Sequence, residues 1–246
     1  LSWKEGYVSA TNSEQRRSLC SRSASRAAGG KCSAQRAKLY FERAEENKLK
    51  KTIAEKAAKF IRVLTVPPVM VTLFILVLWN SQPSVFSGKT GMYLSIVTLG
   101  FFPVLSYLVC AVIPALKKGG RDMQRRLAFV FTLIGYLIAW GYGHIQSVPG
   151  KLLLIYDTYF YSVILLLVLN FIFKVKASGH ACSVSGPLAL SVYFMGIASV
   201  FPCLFIEAAS FWASVKSKRH TPQQFVIGAA VAVISFFASF LHYQTA

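Results

Sequence analysis

Apolar residues occur along this chain in long blocks, not in alternation. Four blocks, 60–79, 92–116, 127–146 and 152–173, are each long enough to cross a bilayer core as a helix, since about 20 residues rising 1.5 Å each cover about 30 Å. A fifth, 225–243, closes the chain. Between 181 and 213 the sequence stays mostly apolar but is punctuated by Gly186-Pro187, Gly196 and Pro202. That is long for one helix, and two short helices with a turn near 196–199 fit it better. The pattern predicts an all-α, polytopic membrane helical bundle with seven spans, or six if that stretch is one tilted helix. No strand periodicity competes with it.

Composition agrees. The 246 residues are 54% hydrophobic and 15% charged, against about 25% charged in soluble domains. The net charge of +18 would suit nucleic acid if it lay on one basic, aromatic-interleaved face. It does not. Fifteen of the 27 basic residues precede Val63, and the rest lie almost wholly between apolar blocks. A membrane protein with a basic N-terminal stretch accounts for both halves, and no nucleic-acid partner is expected. Five scattered cysteines form no C-x-x-C pair, so neither a disulfide framework nor zinc spacing is indicated.

Residues 1–47 are polar, rich in Ser, Arg and Ala, and without a sustained apolar period. They read as a disordered basic tail, or as a non-native extension before a start near Leu49. The acidic cluster Glu42, Glu45, Glu46 argues against a transit peptide. The transmembrane domain is then 48–246, entered through an amphipathic helix over 48–62 that suits an anionic surface.

Loop charge alternates. Lys117, Lys118, Arg121, Arg125 and Arg126 follow the second block, Lys174 and Lys176 the fourth, and Lys216, Lys218 and Arg219 precede the last. The intervening loops carry only Lys89 and Lys151. With seven spans every basic loop falls on the side of the basic N-terminal stretch, which the positive-inside rule makes cytoplasmic.

These three loops also hold the candidate chemistry. His180 and His220 each sit at the start of a helix beside Lys or Arg. Helix N-termini, the Gly179 backbone and several cations together suit a phosphate group. Imidazole near a phosphate can serve as nucleophile or acid, and ordinary membrane anchors would read the same way. His144, His242 and Asp157 are expected at the interface, and Glu207 is an intramembrane acid on the same helix face as Ser214.

The order of residues resembles the type 2 phosphatidic acid phosphatase superfamily, membrane relatives of acid phosphatases and vanadium haloperoxidases. Its three motifs are K-x6-R-P, P-S-G-H and S-R-x5-H-x3-D. Lys118-x6-Arg125 matches the first, with Arg126 in place of Pro; Ala177-Ser178-Gly179-His180 matches the second except at its Pro; Ser214-x5-His220-x3-Gln224 matches the third only at the His. The resemblance covers about 117–228 and implies a lipid phosphate or diphosphate phosphatase using a phosphohistidine, with no metal or other cofactor. His220 would be the nucleophile and His180 the acid. Lys118, Arg125, Arg126, Ser178, Gly179 and Arg219 would hold the phosphate of the lipid substrate. Asp122 and Gln224 would orient their neighbours. Ser214 and Gln224 replace the family's Arg and Asp, so the alternative is a catalytically impaired relative that binds lipid headgroups or serves as a structural membrane protein. A transporter is a third option, weakened by the lack of a broken-helix repeat.

Overall fold

The computed structural model describes residues 30–113 and 119–245, with side chains from residue 38 onward except those of Arg121 and Asp122. The described residues divide into two compact units between Ala54 and Glu55. Within the described residues there are eight helices and no strands.

Helix α1 is Gly30–Leu64. Residues 30–47 are therefore helical, contrary to the expectation of disorder; 1–29 lie outside the described residues. The reason is propensity together with spacing. This stretch is dominated by Ala, Glu, Lys, Arg and Gln, which lose little freedom in a helix. Oppositely charged side chains meet one turn apart, Lys38 with Glu42 at 3.9 Å and Glu46 with Lys50 at 2.6 Å.

Pro67 and Pro68 end that helix and start the next, because proline fits the first turn of a helix and not its interior. Helix α2 is Pro67–Ser81, so the block read as 60–79 is divided between two helices. Helix α3 is Gly88–Val112, with a π-helical stretch at Ile96–Phe101. Helices α4 (Gly120–Ile145) and α5 (Gly150–Ile172) follow, and α5 ends in a second π-helical turn, Val168–Ile172.

The long apolar stretch after residue 180 is two helices, as its punctuation predicts. Helix α6, Gly179–Met195, stops at Gly196, whose φ of 74° is a conformation that favours glycine. Helix α7 is Val200–Lys216 and α8 is Pro222–Thr245. Among the described residues five helices are long and apolar enough to cross a membrane, or six if the bent pair α1–α2 is one span. Helix α6, at 17 residues, is at the lower end of the spanning range. The protein is an integral, multi-pass membrane protein.

Helix α5 is the centre of the bundle. Leu152, Leu154, Ile155 and Tyr156 are fully buried, and Tyr156 bonds Ser95 of α3 at 2.8 Å. Helix α8 packs along α5 and α6, α4 packs on α3 and α5, and α2 on α3 and α6. Helix α7 leans mainly on α6. Its other face, with Phe201, Leu204 and Phe205, is exposed as a lipid-facing surface would be.

Candidate functional site

The first turns of α6 and α8 are docked onto each other. Ser178 caps α6, its hydroxyl accepting from the Ala181 N–H at 3.2 Å. The Ser178 N–H in turn donates to the Gln224 carbonyl of α8 at 2.9 Å. Such proximity requires Gly228. A Cβ there would overlap the Ser178 carbonyl oxygen and lie 3.1 Å from the Ala181 Cβ. This contact brings together two loops that lie 40 residues apart in sequence.

The start of α8 is a capping box. The Thr221 hydroxyl accepts from the Gln224 N–H at 3.3 Å, and the Gln224 side-chain oxygen accepts from the Thr221 N–H at 3.4 Å. Pro222 occupies the first helical position between them. The Gln224 side chain also hydrogen-bonds His220. An amide oxygen accepts a ring N–H, so the other ring nitrogen of neutral His220 keeps its lone pair.

His180 is the second residue of α6. Its Nε2 lies 3.3 Å from the Thr65 hydroxyl, which itself donates to the Ile61 carbonyl at 3.0 Å. A hydroxyl has one proton to give, so Thr65 accepts from His180. Neutral His180 is thereby held as the Nε2–H tautomer, with Nδ1 free.

Both histidines line one cavity of about 690 Å³. Arg62, Arg125, Lys218 and Arg219 line it with them, and so does Gly179. Gly179 and His180 open the helix, where N–H groups have no intrahelical acceptor. A cluster of cations around two imidazoles and a helix N-terminus is suited to a multiply charged anion. Burial holds His220 below its ordinary value, the Gln224 hydrogen bond opposes this, and Arg62, Arg125 and Arg219 depress it further.

The remaining residues singled out by sequence lie elsewhere. Arg126 is exposed and off the cavity wall. The Ser178 side chain is fully buried and spent on its cap. Lys118 and the Asp122 side chain lie outside the described residues. Ser214 is fully buried, away from the cavity. Glu207 also lies off the cavity wall, accepting from Ser185 at 2.7 Å.

Three residues of the site escaped the sequence. Arg62 reads there as the end of an amphipathic helix. Thr65 reads as part of a span. Asn170 accepts from Arg125 at 2.6 Å and donates to the Leu166 carbonyl at 2.9 Å, in the π-helical turn of α5. The guanidinium also lies 5.9 Å over Phe129. Asp157 is enclosed by protein. It is 2% exposed, with His144 at 3.2 Å on one carboxylate oxygen and His242 at 3.3 Å on the other. Two neighbouring imidazoles supply the partners that a buried carboxylate needs.

Among the described residues no group of three or more His, Cys, Asp or Glu is placed to hold a metal ion. The chain matches no family model, no curated protein and no solved structure.

Proposed function

We propose that this protein is a membrane-embedded phosphatase of lipid phosphates or diphosphates, working through a phosphohistidine. The observation that carries this reading is the convergence of His180 and His220, with four cationic side chains, on one cavity whose remaining wall is largely apolar. A lipid phosphate has the matching halves, an anionic headgroup and an apolar body.

In this reading the phosphoryl oxygens lie among Arg62, Arg125, Lys218, Arg219 and the first N–H groups of α6. Placing fixed positive charge where negative charge concentrates is the main contribution a protein makes to phosphoryl transfer. His220 attacks phosphorus through the nitrogen that Gln224 leaves free. The N–P bond forms as the P–O ester bond breaks; His180, whose pKa burial, Arg62 and His220 lower to about 4 in the free protein, takes up a proton as the anion binds beside it and gives that proton to the departing oxygen. Water then cleaves the N–P bond, releasing inorganic phosphate and restoring His220. Lys218 and Arg219 stand in for the cation that the resembled family carries where this chain has Ser214.

The basic loops and the N-terminal stretch are assigned to the cytoplasmic side by their excess of Lys and Arg. The cavity then opens to the cytoplasmic leaflet.

One observation favours a second reading, that of a headgroup binder without turnover. Gln224 holds His220 but carries no charge to stabilise the cation that forms on attack. Phosphate release from purified protein, with phosphatidate, phosphatidylglycerol phosphate and a polyprenyl diphosphate as substrates, distinguishes the two. Turnover that disappears in His220→Ala supports the enzyme. Saturable binding without release supports the binder.

A further inference from the structure

The last turn of α1 reaches the candidate site twice, with Arg62 on the cavity wall and Thr65 against His180. Thr65 is buried, and its own backbone and side chain are both tied down. The Ile61 carbonyl accepts its N–H at 2.9 Å and its hydroxyl at 3.0 Å. Pro67 and Pro68 then open α2, where Met70 belongs to one apolar cluster with Val184 of α6. Met70 follows Thr65 by five residues, and Val184 follows His180 by four. The same two segments therefore meet twice, once through apolar packing and once through the hydroxyl–imidazole bond at 3.3 Å. Threonine is also stiff at its first side-chain torsion. The oxygen offered to His180 is thus a fixed point.

The choice of a hydroxyl suits the surroundings. Histidines that exchange protons are commonly oriented through their second nitrogen by a carboxylate or a backbone carbonyl. Among the described residues no carboxylate lines this cavity. One placed here would compete with an incoming anion for Arg62, Arg125, Lys218 and Arg219. A neutral hydroxyl orients the ring and leaves the positive charge to the anion.

We infer that Thr65 is a positioning residue for proton transfer, holding His180 through Nε2–H so that Nδ1 alone carries the proton to and from the phosphoryl group. This rests on the phosphatase reading and assigns each proton within it. The imidazolium has an N–H at both nitrogens. Nε2–H stays on Thr65, and Nδ1–H goes to the departing oxygen as the P–O bond breaks. Neutral His180 is then the same tautomer as in the free protein. When water attacks the N–P bond, its proton goes to the lone pair on Nδ1, and the acid is reloaded. No tautomer exchange is needed at any step.

The test uses the purified full chain as wild type, Thr65→Val and Thr65→Ser. Valine keeps the shape of threonine without the hydroxyl, and serine keeps the hydroxyl. With phosphatidate as substrate, kcat is expected to fall about three- to tenfold in Thr65→Val, the worth of one neutral hydrogen bond. KM stays within about twofold, and Thr65→Ser recovers most of the loss. An unchanged kcat in Thr65→Val, or a loss that serine does not rescue, overturns the assignment. The tautomer is read separately, by nitrogen NMR of protein carrying isotope-labelled histidine at about pH 8, where imidazole is neutral. His180→Gln identifies the signal. The proton is expected on Nε2 in wild type and on both nitrogens in exchange in Thr65→Val. A wild-type proton on Nδ1 overturns the inference whether or not phosphate is released. Absence of turnover with the proton on Nε2 removes the phosphatase reading alone and leaves Thr65 as the orienter of a headgroup-binding His180.

Discussion

The backbone N–H of Ser178 donates to the backbone carbonyl of Gln224 at 2.9 Å, and this bond fixes the distance between the two histidine-bearing turns. One partner opens α6, the other lies in the first turn of α8. Each segment is rigid by its own cap. Joined, they hold His180 and His220 to a common cavity.

Gly228 is what permits the join. Gly228→Ala places a methyl group against the Ser178 carbonyl, a backbone group that cannot turn aside. The expected cost is about 1–3 kcal/mol of overpacking, read as a lower melting temperature. Anion affinity falls with it, because α6 and α8 must separate. A variant with unchanged stability and affinity would show that the two turns are not tightly docked.

Gln224 has two roles, and substitution separates them. Gln224→Ala removes the capping box, at about 1 kcal/mol, and frees the His220 ring. Gln224→Glu keeps the cap and adds charge beside the imidazole, so stability is held while a bound cationic His220 is favoured. Phosphate release rises in Gln224→Glu and falls in Gln224→Ala. A fall in both would mean that charge at this position does not assist the histidine.

Arg125 is positioned by Asn170. Asn170→Ala removes the acceptor and Asn170→Asp replaces it with a charged one, which draws the guanidinium away from an incoming anion. Both weaken sulfate binding, measured by equilibrium titration, and the Asp variant does so more. Losing one hydrogen bond to a charged group corresponds to about 1.5–3 kcal/mol at most. Unchanged affinity in both would remove Arg125 from the anion site.

His220 has a folded pKa below its unfolded value of about 6.5, chiefly through burial and then through the neighbouring guanidinium groups. Below 6.5 the unfolded chain binds the proton that the folded chain refuses. The stability is therefore fully present above about pH 6.5 and is lost as pH falls through the folded pKa. A bound anion favours the imidazolium, so sulfate binding takes up a proton and tightens as pH drops from 8 toward 5.5 (approximately where His titrates). Sulfate does not titrate in this range, so an affinity independent of pH would mean that neither histidine faces the anion.

Most helices were legible because bilayer length and glycine are local signals, and the stop at Gly196 is visible in the letters; the break at Pro67 was passed over inside a block read as one span. The helix over 30–47 was hidden, because polarity without apolar period reads as disorder while helical propensity and i,i+4 charge pairs act unseen. His180, His220, Gly179, Arg125 and Arg219 were legible from loop chemistry, and the structure brings them to one cavity. Arg62, Thr65 and Asn170 were not: Arg62 lines the cavity, Thr65 bonds His180 and Asn170 bonds Arg125, and the sequence around each gives no sign of what packs beside it. Ser178 shows the converse. Its hydroxyl looks available for a phosphate in sequence, and folding uses it as a cap. The two histidines that α4 and α8 bring to the oxygens of Asp157 were not legible beside Lys151.

The central claim is that His220 carries the phosphoryl group. It is tested most directly by incubating the protein with a lipid phosphate radiolabelled at phosphorus, quenching in alkali and following label on the chain. The account predicts label that is stable in alkali and lost in acid, as an N–P bond is, formed by wild type and absent from His220→Ala. Turnover by wild type with no labelled chain at any time, or label of the same stability persisting in His220→Ala, would contradict it.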